Sequence, residues 1–477
     1  MNLPAKHKHS ASYAGARSAA LTILLKIHRQ HPLADDVVDA ILESTKIREP
    51  DRGLTFELVY GVLRHRETLD WRLNQFAARP MARLPLTVAM IFRLGAYQLL
   101  YLDKIPPSAA VNESVKLAKT IGGRNWSGMM NAILRNIMRH PAPPWPDPSE
   151  DPVSAFSIRY SCPSWLVQRW LSAWGTDMTH TLCEATLQIP PLTLRTNTTR
   201  CSREQLLSRL RSEGYKVQKT TISPLGIILG KCGKLSDLGP LKDGWCYIED
   251  EAAQLIPLLL DIKPDHQVLD VCAAPGGKTT HMSQLMDSQG HIIAVDRDPQ
   301  RLTVLESNSQ RLGLTNISTV CADMGKDMPT TSRSSSTNTL QHSLAAAFTH
   351  GFDRILLDVP CSGLGVLRRH PEGKWLKGTD LIDQIRILQG KILEHVSGLL
   401  RPGGVLVYSA CSTEKEETSH VVETFLDHHQ EFYQDSVKPW LPQTAQMLID
   451  ETESLVTSFN TVSMDGFFAA RLIKGNR

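Results

Sequence analysis

The stretch HQVLDVCAAPGGKTTHMSQLM, residues 266–286, reads as a β-strand, a turn of small residues and the start of a helix. Val268, Leu269 and Val271 form the apolar run expected of a strand buried in a parallel sheet. Ala273, Ala274, Gly276 and Gly277 carry little bulk, so the turn backbone can approach a ligand closely. A helix beginning near Gly277 directs its amides to the same place. Pro275 interrupts any G-x-G-x-x-G pattern, which argues against a dinucleotide pyrophosphate.

From about residue 245 onward strand-like and helix-like runs alternate, the pattern of an α/β chain with a doubly wound parallel sheet. HIIAVD (291–296) ends in Asp296, placed to accept ribose hydroxyls. ISTVCAD (317–323) ends in Asp323, placed to meet an adenine amine. With Asp270 this gives three acids at three successive strand ends, and no Walker-type lysine loop accompanies them. One such Asp is often only a helix cap. The ordered set suits a cationic nucleoside such as S-adenosyl-L-methionine.

Two further strands end in cysteine. FDRILLDVP (352–360) delivers Asp358, Pro360 and then Cys361, and GGVLVYSAC (403–411) delivers Cys411. In the usual sheet of this kind the fourth and fifth strands lie beside the first, so both thiols reach one rim. Two thiols beside a methyl donor solve a particular problem. C5 of a pyrimidine attacks a methyl group only after a thiolate has added to C6. A second group then helps remove the C5 proton and release the enzyme. Free cysteine has a pKa near ~8.5, so the attacking thiol needs a cation or a helix N-terminus. STEKEE after Cys411 reads as such a helix start. Asp358 is placed to bond the base edge at N3 or the amino group. Cys272 and Cys321 read as small apolar side chains. The residues alone leave open which of Cys361 and Cys411 attacks.

Upstream, residues 1–140 read as all helix. DRGLTFELVYGVLRHRETLDWRL (51–73), VAMIFRLGAYQLLYL (88–102), AVNESVKLAKTI (110–121) and GMMNAILRNIMRH (128–140) place apolar residues at three- and four-residue intervals. Arg64, Arg66, Lys116, Lys119, Arg124, Arg135 and Arg139 stand on their polar sides. PAPPWPDPSEDP (141–152) has six prolines in twelve residues and reads as a stiff linker and domain boundary. Residues 153–243 read as a small α+β module, with helices at 164–174 and 202–214 and strands at 191–198 and 223–230. Ser202 and Gln205 form a capping box there, closed by Gly214. Residues 244–477 form the sheet domain. TTSRSSSTNT (330–339), within a low-complexity run at about 325–350, is expected to be a disordered insertion.

The whole chain sets looser bounds. Its 477 residues exceed one typical core, and 42% hydrophobic with 21% charged residues is an ordinary globular balance. A net charge of +3 means that nucleic-acid affinity must come from local patches. Nine cysteines at scattered spacings, without a C-x-x-C pair, point to a reducing compartment, no disulfide frame and no metal site. The apolar run AALTILL (19–25) stops at Lys26, far short of a membrane span, and no secretory signal is visible.

DVCAAPGGKT, AVD, CAD, LLDVPCSGLGVLRRHPEGKW, LRPGGVLVYSACSTEKEE and the terminal DGFFAARL together resemble the Sun family of RNA cytosine-5 methyltransferases. The helical region resembles the NusB-like RNA-binding domain. The resemblance implies a Rossmann-like methyltransferase sheet preceded by a NusB-like domain and the α+β module. It implies methylation of C5 of one cytosine in 16S rRNA, free or in a small-subunit precursor, by a cytoplasmic, monomeric enzyme. The same chemistry on tRNA, or a non-catalytic RNA-binding factor, are the alternatives. By that resemblance Cys411 is the nucleophile, Cys361 assists product release and Asp358 serves the base and cofactor. Cofactor contacts map onto Cys272, Ala273, Ala274, Pro275, Gly276, Gly277, Lys278, Asp296, Asp323 and Asp358. In LRRHPEGKW, the residues Arg368, Arg369, His370, Lys374 and Trp375 are expected to contact RNA phosphates and stack on a flipped base.

Overall fold

The computed structural model describes residues 15–31, 33–44, 47–122, 124–326, 347–460 and 464–476. The Ser/Thr-rich run at 330–339 and most of the expected 325–350 insertion lie outside them. The chain divides into two compact units.

The first unit comprises residues up to Gln188 together with Leu367–Lys377. Its helices are α1 (Ala16–Gln30), α2 (Ala34–Ser44), α3 (Glu49–Arg64), α4 (Arg66–Asn74), α5 (Leu86–Tyr101), α6 (Pro107–Leu117), α7 (Ser127–Arg139), α8 (Pro152–Tyr160) and α9 (Ser164–Ala185). Ala20, Ile23, Leu24 and Ile27 of α1 are all buried, as their helical spacing predicts. α5 is buried nearly all round, and even its Arg93 lies inside. That charge is tolerated because Asp70 of α4 takes the guanidinium through two bonds, at 2.7 and 2.6 Å.

Residues 141–151 of the proline-rich segment form neither helix nor strand. Trp145 stacks on Trp71 of α4 with ring centroids 4.8 Å apart. The Asp151 carboxylate then caps α8 by accepting from Ser154 N–H at 3.0 Å. Thr68 donates to the Ile158 carbonyl at 2.6 Å, and the Glu67 amide donates to the Ser161 hydroxyl at 2.9 Å. These bonds pack α8 and α9 against the helical unit, which as a compact body runs to Gln188.

The segment Leu367–Lys377 belongs to the same unit. Lys374 is fully buried, and its ammonium donates to the Ser161 carbonyl at 3.0 Å and the Thr186 hydroxyl at 3.1 Å. The Trp375 indole N–H donates to the Leu63 carbonyl at 2.6 Å, with the Arg66 guanidinium 5.0 Å above its ring. Arg368 is buried and its carbonyl accepts from Arg64, itself buried. His370 faces Glu372 at 3.4 Å, and Glu372 also accepts the Ala34 amide at 3.0 Å. Arg369 is half-buried beside them. Of the expected RNA-contacting cluster, Lys374 and Arg368 are therefore buried as an internal clasp of the helical unit, whereas Arg369, His370 and Trp375 keep part of their surface exposed. Lys116, Lys119, Arg135 and Arg139 do stand exposed.

The second unit comprises Ile189–Val366 and Gly378–Arg477. A four-stranded antiparallel sheet opens it, made of β1 (Leu192–Thr196), β2 (Val217–Lys219), β3 (Gly226–Leu229) and β4 (Cys246–Ile248) in the order β2-β3-β1-β4. Helix α10 (Arg203–Ser212) packs on it and carries the expected Ser202–Gln205 capping box. The main sheet follows, with β5 (Gln267–Val271), α11 (Gly277–Leu285), β6 (His291–Asp296), α12 (Pro299–Leu312), β7 (Ile317–Cys321), β8 (Phe352–Asp358), α13 (Thr379–Ser397), β9 (Leu400–Ala410), α14 (Ser419–His428), β10 (Phe432–Asp435), β11 (Leu455–Val456) and β12 (Phe468–Lys474). Its order is β10-β12-β9-β8-β5-β6-β7, with β11 on β12. Strands β7, β6, β5, β8 and β9 are parallel, whereas β12 is antiparallel to β9. The order reverses at β5, so ligand groups from β5 and β8 meet at a topological switch point.

Candidate active site

Strands β8 and β9 pair in register, with Asp358 opposite Ser409. Their ends bring the two cysteines together: the Cys361 and Cys411 sulfurs lie 3.1 Å apart, each partly accessible. Both turns are held from several sides. Gln389 of α13 donates to the Pro360 carbonyl at 3.0 Å, and Val359 N–H donates to the Ser409 carbonyl at 2.9 Å. Gly365 N–H donates to the Cys411 carbonyl at 3.1 Å, and Gly466 N–H donates to the Gly365 carbonyl at 2.8 Å. A side chain at 365 would start 2.0 Å from the Gly466 carbonyl oxygen, so only glycine allows this layering.

Asp358 ends β8, three residues before Cys361. One carboxylate oxygen accepts from the Ser409 hydroxyl at 2.8 Å and the other from the Lys278 ammonium at 2.8 Å. Lys278 comes from the first turn of α11, and its ammonium lies 5.0 Å from the centre of the Phe467 ring. Burial alone would lower its pKa, but the adjacent Asp358 outweighs that, and the ammonium is pushed up to about 12. Cys411 adds to the same effect, so the cation lies within electrostatic reach of that sulfur. The Cys361 thiol is pushed far up by its bond to Cys411, by burial, and by the negative fields of Cys411 and Glu417. The site thus holds a cation that favours charge on one sulfur and an environment that keeps the other protonated.

The adjacent rim is built from β5, β6 and β7. An Asp296 oxygen accepts the Ala274 amide at 3.1 Å, fastening the 272–278 turn to the end of β6. Its other oxygen accepts the Asp298 amide at 3.0 Å. Asp323 accepts Gly325 N–H at 3.1 Å and lies 3.5 Å from Lys326, its side chain a third exposed. Cys272 takes a left-handed backbone (φ 62°) where the strand turns into the rim, and burial pushes its thiol up.

Three expectations change. Asp270 is not a rim acid, because its carboxyl is buried under the turn and accepts the Thr279 hydroxyl at 2.5 Å. The glycines of the turn answer to packing below it: a Cβ at Gly276 would meet Leu305 at 2.7 Å, and one at Gly277 would meet Glu249 at 2.8 Å. No helix starts directly after Cys411 either. Lys415–Glu417 forms one 3-10 turn and α14 begins only at Ser419, so the cation near Cys411 is Lys278 and not a helix dipole.

Other parts of the site carried no local signal. Arg195 of β1 is fully buried, bonding Glu249 at 2.5 Å, the Gly277 carbonyl at 2.6 Å and the Thr280 hydroxyl at 2.9 Å. It ties the small sheet to the start of α11. Ser409, Gln389 and Glu417 likewise act through partners distant in sequence.

Comparison with known proteins agrees with this architecture. The family model of the 16S rRNA methyltransferase RsmB/F matches residues 257–473, the NusB family matches 14–139, and the RsmF/B-like ferredoxin-like domain matches 162–235. The chain is 33% identical over 461 residues to the probable ribosomal RNA small subunit methyltransferase B of Bacillus subtilis, covering 96% of this chain and 98% of that one. It is 34% identical over 432 residues to ribosomal RNA small subunit methyltransferase B of Escherichia coli, covering 90% and 92%. A crystallised methyltransferase homolog from Pyrococcus horikoshii is 27% identical, with a TM-score of 0.55 over 68% of this chain and 99% of that one. With a NusB domain, a ferredoxin-like domain and a Rossmann-like sheet in one chain, and relatives of this identity over nearly its whole length, the protein belongs to the 16S rRNA methyltransferase RsmB/F family.

Proposed function

We propose that the protein methylates C5 of one cytosine in 16S rRNA, with Cys411 as the nucleophile and S-adenosyl-L-methionine as the methyl donor. The observation that carries this reading is the 3.1 Å approach of two thiols at adjacent strand ends, with Lys278, paired to Asp358, within electrostatic reach of Cys411.

The rim suits a cationic nucleoside. The carboxylates of Asp296, Asp323 and Asp358 stand at three strand ends, and the latter two are partly exposed. Asp296 would hold the ribose, Asp323 the adenine amine, and the 272–278 turn the rest. Bound there, S-adenosyl-L-methionine supplies an electrophilic methyl group.

The chain's own residues do the remainder. Lys278 favours the Cys411 thiolate, whose sulfur adds to C6 of the base and moves the C5–C6 electron pair onto C5. Asp358 orients the base edge, with its own position fixed by Ser409 and Lys278. After C5 has gained its methyl group, a solvent water takes the C5 proton, the freed C–H pair restores the C5–C6 double bond, and the C6–sulfur bond breaks, returning its electron pair to Cys411. Cys361, held beside Cys411 as a neutral thiol, assists that release.

The test is a pair of variants incubated with 16S rRNA and S-adenosyl-L-methionine, with adducts read on a denaturing gel. Cys411→Ala should abolish the covalent RNA–protein adduct and Cys361→Ala should let it accumulate; the reverse pattern assigns the nucleophile to Cys361. Bisulfite sequencing of RNA from a deletion strain separates the substrates. Unchanged 16S rRNA with a lost tRNA mark refutes the rRNA assignment.

A further inference from the structure

Glu417 is fully buried, and its carboxylate faces the two cysteine turns from behind. One oxygen accepts Ser362 N–H at 2.6 Å. The other accepts the Ser362 hydroxyl at 2.5 Å and the Ser412 hydroxyl as well. Ser362 follows Cys361 and Ser412 follows Cys411, and the two hydroxyls lie 3.4 Å apart. The Glu417 backbone carbonyl accepts the buried Tyr408 hydroxyl at 2.7 Å, which anchors the same residue to β9. The Ser412 hydroxyl in turn accepts the Glu414 amide at 3.2 Å, closing the loop on itself.

Burying a carboxylate costs several kcal/mol unless its lone pairs are satisfied. Here three donors from two separate turns satisfy it. A packed apolar residue would avoid that cost but take the acceptor away from all three donors, so the carboxylate and the two turns hold together as one unit.

We propose that Glu417 is a positioning residue that clamps the Cys361 and Cys411 turns at the spacing their joint action on one base requires. The inference rests on the two-thiol reading above and deepens it. A carboxylate with two oxygens bonds both turns at once, so neither sulfur can drift without breaking a short bond. Addition to C6 needs Cys411 alone, whereas release needs Cys361 in place beside it. Loosening the clamp therefore slows release more than attack. The field of Glu417 also falls on Cys361 and helps to keep that thiol protonated. Misplacement of a reacting group by about 1 Å can cost on the order of 100-fold in rate.

The experiment compares wild type with Glu417→Gln, which keeps the shape but presents an NH₂ group to one of the three donors. Activity on 16S rRNA is expressed per folded molecule, counted by calorimetric titration with S-adenosylhomocysteine. The expected result is a fall in kcat of about 10- to 100-fold, with KM for RNA unchanged and a larger steady-state fraction of enzyme trapped as the Cys411 adduct. A purely structural role would lower the folded fraction and leave kcat per folded molecule and the trapped fraction alone, and that result overturns the proposal. Should E417Q fail to fold, Ser362→Ala and Ser412→Ala each remove one donor and leave the carboxylate in place. Wild-type kcat in both overturns the proposal equally. A wild-type enzyme that forms no Cys411 adduct overturns the two-thiol reading and the clamp with it, whereas a wild-type adduct with an unaffected E417Q overturns the clamp alone.

Discussion

The ammonium of Lys278 and the carboxylate of Asp358 meet at 2.8 Å, although 80 residues separate them in the chain. The pair is mostly withdrawn from solvent, with side chains 12% and 29% exposed. Removing either partner leaves the other charge poorly solvated, and removing both does not. Lys278→Met and Asp358→Asn should therefore each destabilise the protein, while the double variant loses less than their sum. A coupling of about 1–3 kcal/mol is expected from a double-mutant cycle in urea. A coupling near zero would mean that the contact is incidental.

Asp270 provides a prediction in pH. Its buried carboxyl is pushed up to about 7, far above the usual carboxylate range, chiefly by desolvation. Below pH 4 both the folded and unfolded carboxyl hold the proton, so no difference arises. Between about pH 4 and 7 the unfolded chain loses its proton while the folded one keeps it, and stability falls as pH rises. The loss levels off above pH 7 at on the order of 4 kcal/mol. Asp270→Asn should abolish that slope and still accept the Thr279 hydroxyl. Unfolding free energies of both proteins at pH 4, 5, 6, 7 and 8 check it, and parallel curves would refute it.

The difference between what local sequence revealed and what it hid follows from how each feature is encoded. Strands β5 to β9 and their rim residues were legible because a buried parallel strand is an uninterrupted apolar run, and the turn that ends it is punctuated by Gly, Pro or Cys. Cys361 and Cys411 could be placed side by side because strand order in such sheets is constrained. The LRRHPEGKW segment misled because charge density normally marks a solvated surface. Lys374 is instead satisfied by Ser161 and Thr186, whose approach is set by tertiary packing. Glu417 was hidden for the same reason: within STEKEE it looks like any acidic residue of a helix start. A buried charge announces itself only through its partners, and one of these, Ser362, stands 55 residues away.

Gly365 tests the layering of the site. A methyl group there would lie 2.0 Å from the Gly466 carbonyl oxygen and 3.0 Å from that of Cys411. Backbone cannot rotate away as a side chain can, so the Cys361 and Cys411 turns must separate. Gly365→Ala should cost about 1–3 kcal/mol in stability and remove most of the RNA adduct. Thermal unfolding and the denaturing-gel assay measure the two effects. Wild-type behaviour in both would show that the close approach of these backbones is not required.

Lys374 distinguishes a structural cation from an RNA-binding one. If its charge met phosphate, Lys374→Ala would weaken RNA binding and lower the slope of log K against log salt by about one. Its ammonium instead lies inside the helical unit, where it donates to Ser161 and Thr186. The alanine variant leaves both acceptors buried without a donor and opens a cavity as long as the lysine stem. Together these should cost on the order of 3 kcal/mol. The stability loss should appear in urea unfolding while the salt slope of RNA affinity stays that of wild type. Lys119 and Arg135 supply the contrast, since both are exposed and Lys119→Ala and Arg135→Ala should leave the fold intact. A reduced salt slope for Lys374→Ala at unchanged stability would place Lys374 at the RNA surface and undo the internal clasp.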